Sequence, residues 1–304
     1  MTAGNATVAF RPEASYREPD EAGNWSTPGR NITITELNLD NQLEELRDPS
    51  NPVPVEQLEG NFEGALGINC TLQGDPLPPW ADLVLDGGSL PTSGGSAPSA
   101  EWAIGIDYIG GTAERIVQGA VVTDITLTWE NGTVWTVDMS ILYADEAFNE
   151  SITPTDIQTL GPEKTFNHSA TDIDVASVGI QGATTVSLSL SGIARLRDGM
   201  GRKPYAAVIG AIEPTLEMQA DFTDESPAHL QLAYGDAAEP VDEVGSAPID
   251  IEATNKDGNT LNVAIDAAKP ATYGWSDVVD ADADEQESIT FNLFDDGNAG
   301  VTLS

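Results

Sequence analysis

Chemistry needs side chains that can hold a proton, a metal or a nucleophile, and this chain offers few of them. His168 and His229 are its two histidines and Cys70 its single cysteine. Neither histidine stands at a metal-ligand spacing from the other or from Cys70, so a zinc site has no basis. No Gly-x-Ser-x-Gly elbow, no phosphate loop ending in Gly-Lys-Ser/Thr and no Gly-x-Gly-x-x-Gly turn occurs. Asp280, Asp282 and Asp284 repeat at the odd positions of a calcium loop. Glu285 replaces the sharp-turn glycine, however, and Phe291 replaces the bidentate Glu, which leaves a solvated acidic loop. Trp129 and Trp135 flank one Gly turn, and cross-strand packing accounts for the pair better than a sugar platform does. The expectation is a protein with no catalytic residue, no cofactor and no metal, hence not an enzyme.

With no reactive cluster to position, the interest shifts to the elements themselves and to the surface they carry. The 304 residues hold 50 Asp and Glu against 12 Lys and Arg, a formal net charge of -38. Such a surface repels itself at ordinary ionic strength, whereas at molar salt the screening length falls to ~3 Å. The composition is that of a halophile's protein, and it argues against binding nucleic acid by phosphate neutralisation, which needs clustered Lys and Arg. No basic-then-apolar leader opens the chain and no apolar run approaches the ~20 residues needed to span a bilayer, so no membrane is expected among its partners. Asn5, Asn24, Asn31, Asn69, Asn131, Asn149 and Asn167 begin Asn-X-Ser/Thr triplets, which a chain rich in these residues produces by chance.

The strongest internal signal is repetition. At an offset of 150, Leu46, Arg47 and Asp48 match Leu196, Arg197 and Asp198, Pro54 matches Pro204, Gly60 matches Gly210, Glu63 matches Glu213 and Leu66 matches Leu216. Around these matches Phe62, Leu66, Ile68, Cys70 and Leu72 alternate with polar residues, as do Ile212, Leu216, Met218, Ala220 and Phe222. Both stretches read as half-buried strands in one phase. Leu37 and Leu39 correspond to Leu188 and Leu190. Farther along, the offset reads as 126. Ile104, Ile106 and Tyr108 then fall on Leu230, Leu232 and Tyr234, and two hairpins with turns at Asn131-Gly132 and Asp257-Gly258 superpose. The change of offset implies an insertion loop at about residues 73–103, rich in Gly, Pro and Ser.

These observations predict a mainly β protein of two tandem sandwich- or barrel-like domains with at most a short helix each, placed near Glu146 and Val278. The expected division is an N-terminal arm (1–30), a first domain (31–165) and a second (166–304), with a closing hairpin turning at Asp296-Gly297. Gly60 and Gly210, entering strands, and Gly132 and Gly258, in turns, are the expected structural glycines. Phe10, Tyr16 and Trp25 stand in a polar arm with no obvious core, which predicts docking on a neighbouring subunit. Arg47, Asp48, Arg197 and Asp198 either pair ions at a subunit boundary or cap turns.

The Leu-Arg-Asp, Pro and Gly-x-x-Glu frame of each copy, followed by the long hairpin RIVQGAVVTDITLTWENGTVWTVDM, resembles tail tube proteins of tailed viruses, in particular siphovirus-like ones with two tube domains in one chain. That resemblance covers residues 30–304. It implies homotrimeric, pseudo-sixfold rings stacked into a hollow tube that DNA passes through without specific recognition. It also implies other tail proteins at the tube ends, a place in the virion tail after synthesis in the host cytoplasm and, with the acidic composition, a virus of a halophilic archaeon. The open alternatives are a cell-surface adhesin or pilus-like subunit, and a distal-tail or baseplate subunit built on the same domain.

Overall fold

The computed structural model describes residues 6–21, 23–91, 94–108, 111–149, 157–235, 239–276, 285–295 and 300–304. Its first half carries β1 (Ala6–Ser15), β2 (Glu18–Pro19), β3 (Arg30–Asp40), β4 (Glu44–Leu46), β5 (Glu56–Leu58), β6 (Glu63–Thr71), β7 (Ala100–Tyr108), β8 (Gly111–Glu130), β9 (Thr136–Tyr143) and β10 (Asp145–Asn149). The second half carries β11 (Phe166–Val175), β12 (Val178–Gly179), β13 (Ala183–Ser191), β14 (Ala194–Arg197), β15 (Ala206–Ile209), β16 (Glu213–Asp221), β17 (Ala247–Asn255), β18 (Thr260–Ser276), β19 (Gln286–Leu293) and β20 (Val301–Leu303). One helix is described, α1 (Ser226–Tyr234), between β16 and β17. The protein is thus mainly β, and among the described residues its large antiparallel sheet does not close into a barrel.

Alternation explains the strands. In β9, Val137, Met139, Ile141 and Tyr143 face inward while Asp138 and Ser140 face out, and in β17 Ile249, Ile251 and Ala253 alternate with Asp250 and Glu252. The pairing order is the same in both halves. The first runs β2-β1-β7-β8-β9-β6-β3 with β10 on β8; the second runs β12-β11-β17-β18-β19-β16-β13 with β20 on β18. Residue pairs correspond as well. Leu37 faces Leu66 as Leu188 faces Leu216, and Met139 sits between Ile68 and Ile125 as Ile289 sits between Met218 and Tyr273. A bulge interrupts β8 between Val122 and Asp124, and another interrupts β18 at the matching place, between Pro270 and Thr272.

This pairing corrects the offset of 126. The strand equivalent to the inner half of β8 is the outer half of β18, at an offset of 148, and β9 corresponds to β19 at 150. No 24-residue insertion is required. Residues 72–99 and 222–246 are connections of similar length between equivalent strands. The presumed loop is also not extended, because Trp80, Leu83, Val84 and Leu85 are buried in the main core and residues 100–103 lie in β7. Three local expectations change with it. The segment around Glu146 is β10, not a helix. Leu230, Leu232 and Tyr234 lie on α1, not on a strand, as does His229. Residues near Val278 and the turn at Asp296-Gly297 lie outside the described residues.

The halves meet strand to strand. β13 lies along the free edge of β8 from Thr185 opposite Glu130 to Leu190 opposite Ile125, so β8 pairs with β9 on one side and with the second half on the other. Buried side chains of both halves join in one cluster running from Phe10 and Trp102 to Phe291 and Ile249.

Within the first half, Tyr143 crosses the sheet to hold β3. Its hydroxyl donates to the Asn38 carbonyl (2.7 Å), and Arg115 binds Glu146 through two bonds of 2.6 and 2.7 Å while donating to the Leu37 carbonyl. Gly64 makes room for this, since a Cβ there would lie 2.1 Å from the Tyr143 ring. Gly64→Ala is expected to destabilise the chain by ~1–3 kcal/mol through overpacking, read as a lower urea midpoint.

Candidate assembly surface

Each half projects a two-stranded hairpin from the same place in its sheet, β4–β5 in the first and β14–β15 in the second. The two bases are built alike. Gly60 N–H donates to the Asn41 carbonyl (3.1 Å) and Gly210 N–H to the Ile193 carbonyl (2.8 Å). A Cβ would fall 2.4 Å from the Gln42 oxygen at Gly60 and 2.0 Å from the Gly192 oxygen at Gly210, so close backbone approach demands glycine at both. Gly132 and Gly258 lie in turns at φ of 85° and 84°, with open space around them.

The surroundings of the hairpins differ. The β14–β15 hairpin folds onto the first half, where Ile193 N–H donates to the Thr123 carbonyl (2.8 Å) and Ala194 and Ala207 are buried with Ala97 and Val121. Its tip ends in two cations that reach further. Arg202 binds Asn41 Oδ1 (2.7 Å), Glu59 Oε2 (3.1 Å) and the Gly60 carbonyl, and its own carbonyl accepts from Phe62 N–H. Lys203 pairs with Asp145. Beyond this contact at its foot, the β4–β5 hairpin has no such partner among the described residues, and Leu43, Leu46, Val53, Val55 and Leu58 are all exposed.

Asp145 is a junction. It also pairs with Arg17 at 2.5 Å, tying the N-terminal segment, β10 and the second hairpin together. Burial pushes its carboxyl up, but hydrogen bonds from Lys203, the Glu146 N–H and Arg17 outweigh that and hold it below its ordinary value. Glu287 is similar. Burial raises it, yet bonds from His229, Tyr273 and Ser226 bring it down, with His229 Nδ1 at 2.9 Å and the Tyr273 hydroxyl at 2.7 Å. This cluster pins α1 to β18 and β19. Both carboxyls are depressed on folding, so their stabilisation is complete above the ordinary carboxylate range and is lost as pH falls through their lowered values. Melting temperature should therefore drop below about pH 4, and Asp145→Asn should lower it at pH 6 while flattening the acid limb, as followed by circular dichroism.

The sequence-predicted contact residues separate into buried and exposed groups. Phe10 is 1% exposed and stacks on Trp102 with ring centres 4.9 Å apart, so it has a core in its own chain. Tyr16 packs beneath the β14–β15 hairpin beside Ala194 and Ala207. Burial, countered by Arg17 and reinforced by Glu13, Asp198 and Asp145, pushes its phenol up to about 12. Trp25 lies under the Arg11 guanidinium at 4.8 Å, and Arg11 pairs with Glu101 at 2.7 Å. The expectation of no core in this segment fails for Phe10, because β1 pairs with β7 along Ala6–Pro12, whereas Tyr16 and Trp25 are half-buried. Arg47 is exposed and pairs locally with Glu45 at 2.7 Å. Asp48 accepts the Asn51 N–H in the β4–β5 turn, and Arg197 accepts the Tyr205 N–H in the other hairpin, with Asp198 exposed beside it. Sequence reasoning missed Arg202, Lys203 and Asp145. Two adjacent cations in a chain so poor in them were the available signal.

His229 and Glu287 are buried, and among the described residues no group of His, Cys, Asp and Glu side chains could hold a metal ion. No helix among the described residues is long and apolar enough to cross a membrane. Edges, hairpins and a shared sheet define a structural subunit. A family model described as phage tail tube protein matches residues 4–293, and the chain belongs to that family. The family is structural, not enzymatic, and its place is the virion tail. No curated protein matches the chain.

Proposed function

We propose that the chain is the major subunit of a tail tube, stacking as rings around a channel for genome passage. The observation that carries this reading is the β13–β8 joint, at which two halves with one pairing order meet through opposite edges of their sheets. A chain built from two equivalent units reaches sixfold appearance with three copies, so the ring is a homotrimer. The halves are then duplicated tube domains, divided near residue 165, with residues 1–30 belonging to the first. Other tail proteins cap the ends, and DNA is cargo without specific contacts, since an acidic wall repels phosphate.

The net charge of -38 supports a tube that works in brine, as in a virus of a halophilic archaeon. Lowering salt from molar to about 0.1 M lengthens the screening distance to ~10 Å, and both melting temperature and assembly are expected to fall steeply. Negative-stain microscopy of the purified chain in molar salt tests the reading. Hollow tubes or rings of three subunits support it, and dispersed monomers at high concentration overturn it.

A further inference from the structure

In the joint inside the chain, β13 covers the outer edge of residues 125–130 of β8. Among the described residues the equivalents of these two strands carry no strand on the corresponding edges, because β3 pairs with β6 alone and residues 269–276 of β18 pair with β19 alone. Side chains whose counterparts the inner joint buries are left in water there. Leu190, Leu127 and Ile193 are each 3% exposed, whereas their counterparts Leu39, Trp275 and Leu43 are 49%, 52% and 52% exposed.

We propose that a second copy of this chain completes both edges: β3 of one subunit pairs antiparallel with residues 269–276 of β18 in the next, setting Leu39 opposite Tyr273, Asn38 opposite Gly274 and Leu37 opposite Trp275. The register follows from the inner joint, where Leu190 faces Ile125, Ser189 faces Thr126 and Leu188 faces Leu127. Leu39 and Leu37 then seal the open flank of the core against Tyr273 and Trp275, as Leu190 and Leu188 do against Ile125 and Leu127. The inference rests on the ring-forming reading and deepens it by naming the strands, register and residues of the contact.

Two further correspondences support this pairing. At the foot of the hairpins, Gln42 has φ of 45° where Gly192 has 68°, so both chains turn alike. Because Ile193 N–H donates to the carbonyl of Thr123, the bulged residue of β8, Leu43 N–H meets the carbonyl of Ala271, the bulged residue of β18 in the neighbour. At the tips, Val53 takes the place of Lys203. Lys203 meets Asp145 just beyond β9, and the matching place beyond β19 holds Asp295 in a hollow also lined by Ile212, Leu293 and Phe294. An aspartate stands at both places, and where Lys203 brings charge to the first, Val53 brings hydrocarbon to the flank of the second. The two edges differ from each other, so the contact is head to tail and repeats until a ring closes.

A cysteine pair reads the register directly. Thr126 and Ser189 hydroxyls lie 3.1 Å apart in the inner joint, so Asn38→Cys with Gly274→Cys in the full chain brings two thiols together across subunits. A Cβ at Gly274 meets nothing closer than 3.5 Å, and the native Cys70 is buried. Under mild oxidation in molar salt, this pair is expected to form covalent oligomers at least tenfold more than Asn38→Cys with Thr272→Cys. In the unmodified protein, amide exchange of residues 37–39 and 273–275 should slow at least tenfold on assembly. Rings or tubes in which neither the cross-link nor the protection appears overturn the joint and leave the tube reading standing. Absence of any assembly by the unmodified chain overturns both.

Discussion

Removing residues 1–30 is expected to cost the chain its fold, not merely its ability to assemble. Strand β1 supplies Phe10 to the core, and its partner Trp102 is fully buried. Loss of the strand leaves β7 with an unpaired edge and opens a cavity of aromatic size. Trp102→Ala isolates the packing part of this effect without touching the backbone ladder, and a destabilisation of ~3–5 kcal/mol is expected for a buried aromatic truncated to alanine. Urea unfolding followed by tryptophan fluorescence measures both. A truncated chain that melts like the full one would show that the N-terminal strand is dispensable and that its packing contributes little.

The opposite result is expected for the β4–β5 hairpin. Replacing residues 44–58 by a short Gly-containing turn removes exposed strands and few tertiary contacts, so monomer stability should change by less than ~1 kcal/mol. Tube formation, by contrast, should be abolished, because the exposed apolar side chains from Leu46 to Leu58 go with it. The same excision of residues 194–208 should unfold or severely weaken the chain, since Ala194 and Ala207 are buried. Thermal melts paired with electron microscopy separate the two cases. Equal effects of the two excisions would contradict the asymmetry between the hairpins.

How much of this was legible in the sequence depended on whether a pattern had a unique period. The strands at 63–71 and 213–221 were readable because alternation, a shared glycine and an offset of 150 agreed, and their cross-strand leucines pair as that offset requires. The later strands misled. The β8–β9 and β17–β18 hairpins alternate in the same way and both turn at Gly, so matching Asp124–Val137 to Asp250–Val263 slipped the correspondence by one strand and created an insertion that the fold does not contain. The SPAHLQLAY stretch alternates at Leu230, Leu232 and Tyr234 and so read as a strand, although Pro at the start and Gly235 at the end are helix boundary signals. The candidate surface was visible only as the Leu-Arg-Asp frame. Its asymmetry depends on which hairpin finds a partner in its own chain, and no local pattern reports that.

Seven of the 12 basic side chains are tied up in ion pairs within the chain: Arg11, Arg17, Arg47, Arg115, Lys164, Arg202 and Lys203. In the proposed tube, a polyanion sliding past such a wall would meet few unpaired cations to hold it.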